Sequence, residues 1–217
     1  MTQYKDFLKN FEKAVIQTNR HIEDIELIAV SKRKSIDNII SIINEGQQSF
    51  GENQLQEVIQ KWPQLKDNNK KIRLHFIGSV QSKKLHDIIM HCDVIHTIDR
   101  SKLVQIISKI DKSALKDKSF FIQINTGNEI QKSGVDLNTA EELIQLCRNN
   151  EINVDGLMCL PPENEKPDKH FELLQSLAKN NNIKNLSMGM SNDFITALKY
   201  GSTHIRIGTA IFGSRTS

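Results

Sequence analysis

The chain has 217 residues with 29 Lys+Arg against 26 Asp+Glu, a formal net charge of +3, and is 38% hydrophobic and 25% charged. This is an ordinary globular composition that excludes wholesale disorder, and a charge so small and dispersed argues against nucleic-acid or membrane-surface binding. Cys92, Cys147 and Cys159 match no zinc spacing and are too few for a disulfide framework, and neither a spanning apolar run nor a signal segment occurs, so a reduced, soluble, cytoplasmic protein is expected.

In chain order, Phe7, Leu8, Phe11, Ala14 and Val15 recur at helical spacing among Lys5, Lys9, Glu12 and Lys13, predicting an amphipathic helix over about 3–18. From residue 27 the pattern changes. Short apolar runs at 27–30, 49–51, 74–77, 94–97, 120–124, 154–158, 186–188 and 204–207 alternate with helical patterns such as Ile36, Ile39, Ile40 and Ile43. Phe171, Leu174 and Leu177 form another such face. Strands alternating with helices predict a parallel α/β sheet. Eight repeats of about 25 residues fit a (β/α)8 TIM barrel over about 27–213, with an open doubly wound sheet as the competitor. No linker-like stretch interrupts the chain, so residues 1–217 read as a single domain with an extra N-terminal helix.

Functional groups of such a barrel gather where its strands end. The first run continues into Ser31-Lys32-Arg33-Lys34 and the second into Glu52-Asn53. Lys32 follows an apolar strand directly, so its stem is expected against the core and its ammonium partly desolvated, which prepares a lysine for Schiff-base chemistry. Lys34 is the rival, two residues on. The seventh and eighth runs end in Gly189-Met190-Ser191 and Arg206-Ile207-Gly208-Thr209. These suit a phosphate site, with Ser191 as the expected N-cap of the following helix and Gly208 allowing close backbone approach. His86, His91 and His96 are five apart and no His-Glu-x-x-His occurs, so no metal site is expected; His75 and His204 read as hydrogen-bonded barrel residues.

Phe50-Gly51-Glu52-Asn53, His75-Phe76-Ile77-Gly78, Lys132-Ser133-Gly134, Ser187-Met188-Gly189-Met190-Ser191 and Arg206 through Gly213, together with Val30-Ser31-Lys32, resemble the motifs of the pyridoxal phosphate homeostasis protein family. That family is itself similar to the barrel domain of alanine racemase. The resemblance implies pyridoxal 5′-phosphate (PLP) held as an aldimine on Lys32. It implies phosphate contacts from Ser191, Gly208 and Thr209 with Ser187 and Gly189 nearby, Arg206 facing the pyridine nitrogen, and Asn53 near the phenolic oxygen. Ser79-Val80 stands where Pro-Leu is usual and is expected to loosen that loop. Alanine racemases, by the same resemblance, take a second acid/base tyrosine from a further domain, for which no counterpart is expected within these 217 residues. No catalytic residue is therefore assigned. A monomeric PLP carrier in vitamin homeostasis is expected, with PLP-dependent apo-enzymes as recipients and a racemase-like enzyme as the alternative.

Overall fold

The structure, a computed structural model, describes residues 2–129 and 131–213. Helix α1 (Gln3–Ile16) precedes β1 (Glu26–Val30), α2 (Ile36–Asn44), β2 (Ser49–Glu52), α3 (Leu55–Asn68), β3 (Arg73–Phe76), α4 (Leu85–His91) and β4 (Val94–Ile98). Then come α5 (Ser101–Ile107), α6 (Lys112–Leu115), β5 (Ser119–Asn125), a two-residue β6 (Val135–Asp136) and α7 (Ala140–Asn149). The chain continues through β7 (Val154–Cys159), α8 (Pro167–Asn180), β8 (Asn185–Ser187), α9 (Phe194–Lys199), β9 (His204–Ile207) and α10 (Thr209–Phe212).

All strand pairings are parallel, in the order β4-β3-β2-β1-β9-β8-β7-β5, and β4 also pairs with β5. The sheet therefore closes on itself: a (β/α)8 barrel, not an open doubly wound sheet. Each of the eight apolar runs coincides with a wall strand. Only β6 was unforeseen, since two residues hydrogen-bonded along β5 carry no periodicity to read.

Alternation along the strands sorts the side chains into two layers. Phe50 and Leu74 face outward into one continuous apolar layer beneath the helices, where Phe50 packs on Trp62 of α3 with ring centroids 5.1 Å apart. His75, His96, Phe121, His204 and Arg206 fill the interior, which is consequently polar.

Helix α1 is part of this packing. Phe7 and Phe11 stack at 5.8 Å, and both meet Phe194 at the start of α9. Gln3 Nε2 donates to the carbonyls of Thr209 and Ala210 in α10 (3.1 and 3.2 Å). Phe11 is 1% exposed, so Phe11→Ala is expected to destabilise the protein by about 3–5 kcal/mol. Urea unfolding followed by circular dichroism measures this, and a loss below about 1 kcal/mol would show α1 to be an appendage.

Candidate functional site

The turns following β1, β2 and β9 meet at the C-terminal mouth of the barrel. They enclose a cavity of about 160 Å³ whose lining includes Lys32, Arg33, Lys34, Asn53, Gly208 and Thr209. Three cations and no carboxylate line it. Lys32 is exposed at this rim, so the desolvation expected from its strand-end position is not found: the chain turns away before the side chain can be covered. Its amine has no hydrogen-bonding or ionic partner among the described residues. Lys34 Nζ, in contrast, donates to the carbonyls of Phe212 and Gly213 (3.3 and 3.2 Å). Of the two rival lysines, only Lys32 has a free amine.

Asn53 reaches the mouth because Gly78, after β3, leaves room for it. A Cβ on Gly78 would lie 2.1 Å from the Asn53 carbonyl oxygen. The side-chain Oδ1 of Asn53 is buried and has no hydrogen-bond partner among the described residues. Buried amide groups are ordinarily bonded, so this one is available to a ligand.

Behind the mouth the interior polar groups form a chain. Glu26 Oε1 lies 3.0 Å from His75 Nε2, His75 Nδ1 lies 2.9 Å from His96 Nε2, and His96 Nδ1 lies 2.9 Å from Ser187 Oγ. Arg206 Nη1 then donates to Ser187 Oγ at 2.6 Å, and its Nη2 to the Cys159 carbonyl at 3.0 Å. A carboxylate only accepts and a guanidinium only donates, so with both buried rings neutral the hydrogens between them follow. His75 carries its hydrogen on Nε2, as does His96, and the Ser187 hydroxyl donates to His96. Both rings must be neutral for this pattern. Burial accordingly pushes the His75 imidazole below its ordinary value and that of His96 well below. Glu26 also accepts from Ser49 Oγ (2.7 Å) and lies near His204 Nε2 and Arg73 (3.0 and 3.3 Å). Against the cost of burial, the bonds from His204 and His75 hold its carboxyl far below the usual range.

Arg206 is 3% exposed and has no carboxylate within ion-pair distance among the described residues. Burial draws its guanidinium below the ordinary value, yet an arginine keeps its charge.

Other expected site residues are placed differently. Ser187, expected beside the phosphate, has its hydroxyl committed between His96 and Arg206. Ser191 is not a helix N-cap: α9 starts only at Phe194, and Asp193, in the cap position, makes no side-chain cap bond, its carboxylate accepting instead from Met190 N–H at 2.6 Å. Ser191 lines a neighbouring cavity of about 600 Å³ with Pro161, Pro162 and Met190, separate from that of Lys32. Gly189 is accounted for by packing, with φ +96° and a Cβ that would lie 2.6 Å from Ala197. Ser79, expected to loosen its loop, bonds the Ser133 hydroxyl at 2.7 Å.

A cavity of about 570 Å³ at the opposite mouth is lined by Glu26, Arg73, Asp155 and His204 among others, but these groups bond to their neighbours. The three cysteines are buried, which pushes Cys92 and Cys159 up to about 12 and Cys147 to about 11. Among the described residues no group of His, Cys, Asp or Glu is arranged to hold a metal, and no helix is long and apolar enough to cross a membrane.

The chain has a lysine after the first strand of a barrel with a polar interior, and the alanine racemase N-terminal domain family matches its residues 8–216. Within that class the chain belongs to the pyridoxal phosphate homeostasis protein family. It is 39% identical over 204 residues to the pyridoxal phosphate homeostasis protein of Vibrio alginolyticus, covering 89% of this chain and 88% of that one. The Haemophilus influenzae protein of the same name is 35% identical over 221 residues, covering 95% and 92%. Among solved structures, PipY of Synechococcus elongatus with PLP bound superposes with a TM-score of 0.76 at 28% identity, covering 93% of this chain and 98% of that one.

The buried histidines set a pH dependence. Their folded values lie below the ordinary ~6.5, so under acid the unfolded chain binds protons that the folded chain refuses. Stability is therefore complete above about pH 6.5 and falls as pH drops through it, by at most about 1.4 kcal/mol per histidine per pH unit. The depressed Glu26 carboxyl adds to the loss at lower pH. Urea midpoints at pH 8, 6.5 and 5.5 are expected to fall in that order, and a midpoint that rises on acidification would contradict the neutral assignment.

Proposed function

We propose that this chain binds PLP at the C-terminal mouth of its barrel, holds it as a Schiff base on Lys32, and buffers or delivers it in the cell. One observation carries the reading: a mouth lined by three cations without an acid, holding one free amine (Lys32) and one unbonded amide (Asn53). Those groups suit an anion that bears an aldehyde. The names of the relatives and the PLP-bound structure of PipY support the same ligand.

When bound, PLP supplies an aldehyde that condenses with a primary amine: the lysine nitrogen joins the aldehyde carbon, and the aldehyde oxygen leaves with two hydrogens as water. Gly208 and Thr209, which line the Lys32 cavity at the first turn of α10, would hold the phosphate; Ser191 and Gly189 of the β8–α9 connection would join them where the ligand extends from the Lys32 cavity toward the one that Ser191 lines. Arg206 would face the pyridine nitrogen and, as a permanent cation, keep it unprotonated. Such a ring is a weak electron sink, which suits storage better than amino-acid chemistry. The proposed form is a monomer, and PLP-dependent apo-enzymes are the proposed recipients.

A racemase-like enzyme is the second reading, favoured by the match to the alanine racemase N-terminal domain. Racemisation takes an acid/base group on each face of the α-carbon. Both tyrosines are engaged elsewhere: Tyr4 bonds Gln47 Oε1 at 2.9 Å, with burial pushing its phenol up to about 12, and Tyr200 ends α9 at 3.5 Å from Asp168. This geometry favours the carrier.

Lys32→Ala is expected to abolish the visible imine band, and a band that persists after dialysis would remove the assignment. Ser191→Ala combined with Thr209→Ala is expected to weaken binding by about 1.5–3 kcal/mol for each lost bond to the phosphate. Unchanged affinity would refute that placement. For the carrier reading, D- and L-amino acids added to the loaded protein are expected to show no sustained α-hydrogen exchange by NMR; turnover would establish the enzyme instead.

A further inference from the structure

On the outer side of β2, away from the cavity lining, lies a buried charge cluster. Glu52 points into the layer between β2 and α3, with its side chain 0% exposed, and Lys61 Nζ is 2.8 Å from its Oε1. Glu57, one helical turn before Lys61, is 2.6 Å from the same nitrogen. Glu52 Oε1 also accepts from Ser31 Oγ (2.8 Å) and Trp62 Nε1 (3.2 Å), while Oε2 has no partner among the described residues. Lys61 additionally donates to the carbonyls of Ser31 and Lys34 (3.0 and 3.4 Å).

Those two carbonyls bracket the turn that carries Lys32. The turn is closed by Lys34 N–H to the Ser31 carbonyl at 3.1 Å, and its third residue, Arg33, has φ +59°. Left-handed backbone is sparsely populated for an arginine. The Arg33 N–H is held by Glu57 Oε2 at 2.7 Å. One ionic cluster thus secures both ends and the strained middle of a single turn. Stability alone does not call for such a device, because well-packed apolar residues commonly replace a buried ion pair without loss. What the cluster secures is the backbone path at Lys32, whose own side chain makes no bond that could hold it.

We propose that Lys61, clamped between Glu52 and Glu57, is a positioning residue that fixes the Ser31–Lys34 turn so that the Lys32 amine is presented at the cavity, without itself touching the ligand. This rests on the reading of Lys32 as the attachment point of PLP.

The test titrates the full chain, freed of ligand, and its Lys61→Met, Lys61→Arg and Glu57→Ala variants with two probes. PLP reports imine formation by absorbance and by the mass of the borohydride-reduced adduct. Pyridoxine 5′-phosphate, an alcohol in place of the aldehyde, reports non-covalent affinity. Lys61→Met is expected to weaken imine formation about 10-fold or more and Glu57→Ala about 3-fold or more, since small misplacements of a reacting group are costly. Both should leave the affinity for the alcohol within about two-fold, and Lys61→Arg should recover most of the loss. Circular dichroism checks folding; should Lys61→Met not fold, Glu57, whose side chain is 16% exposed, decides alone. Unaltered imine formation in the folded variants overturns the proposal, as does a parallel loss of alcohol binding, which would mark a general collapse of the site. Lys32→Ala, run alongside, separates the two readings. An imine band that survives there removes the role of Lys32 and with it the proposal; its loss there, with no effect at Lys61 or Glu57, removes only the positioning role.

Discussion

The interior of a closed eight-stranded barrel has no outlet to water along its length, so polar groups placed there must satisfy one another. Here the chain from Glu26 through His75, His96 and Ser187 to Arg206 meets that demand with each hydrogen assigned. Together with Ser49 and the Cys159 carbonyl, it draws on seven of the eight wall strands, and Phe121 of the eighth stacks on His96 at 4.5 Å. Reversing one bond would set a ring nitrogen against a carboxylate or leave a donor facing a donor. With both rings neutral the arrangement is a single one, and it holds Arg206 in one orientation. Buried polar groups of this kind need not add stability; what they supply here is uniqueness.

The molecule thus separates its charges into two systems with the mouth between them. Inside the wall, the negative end lies at the N-terminal side and the positive end toward the C-terminal mouth. Outside the wall, two carboxylates and one lysine sit under the β1–α2 turn, balancing the lysines and arginine above them. The net charge of the chain conceals this. Within a low-dielectric frame, position rather than sum decides which ligands a cavity favours.

The sequence reads well where physics is local. Apolar runs at regular intervals mark strands because a wall strand is buried on both faces, and the helical faces of α2 and α8 follow from their spacing. The position of Lys32 at the end of β1 was legible for the same reason, though its exposure was not, because a turn's direction is not encoded in strand periodicity. Glu57 and Lys61 were missed: on an amphipathic helix a Glu and a Lys four apart read as a solvated pair, and only the packing of α3 on β2 buries them. The link between His75 and His96 spans 21 residues and two strands, and no local pattern announces it. Ser191 went astray because residues 191–193 form a turn on the Met190 carbonyl, which accepts from Asp193 and Phe194 N–H, and the helix begins only after it.

Strands β1 and β9 come from opposite ends of the chain, yet they are neighbours in the wall, with Glu26 level with His204 and Ile28 with Arg206. Lys32 follows one of them and Gly208 the other. The cavity therefore lies on the seam of the cylinder, at the pairing of greatest sequence separation among the described strands, where closure entropy is largest for the sheet. Local opening there would disperse the cavity while leaving the rest of the wall intact. A molecule bound across the seam would act as a clasp, stabilising the closed cylinder by mass action and linking retention of the small molecule to the pairing of the chain's two ends.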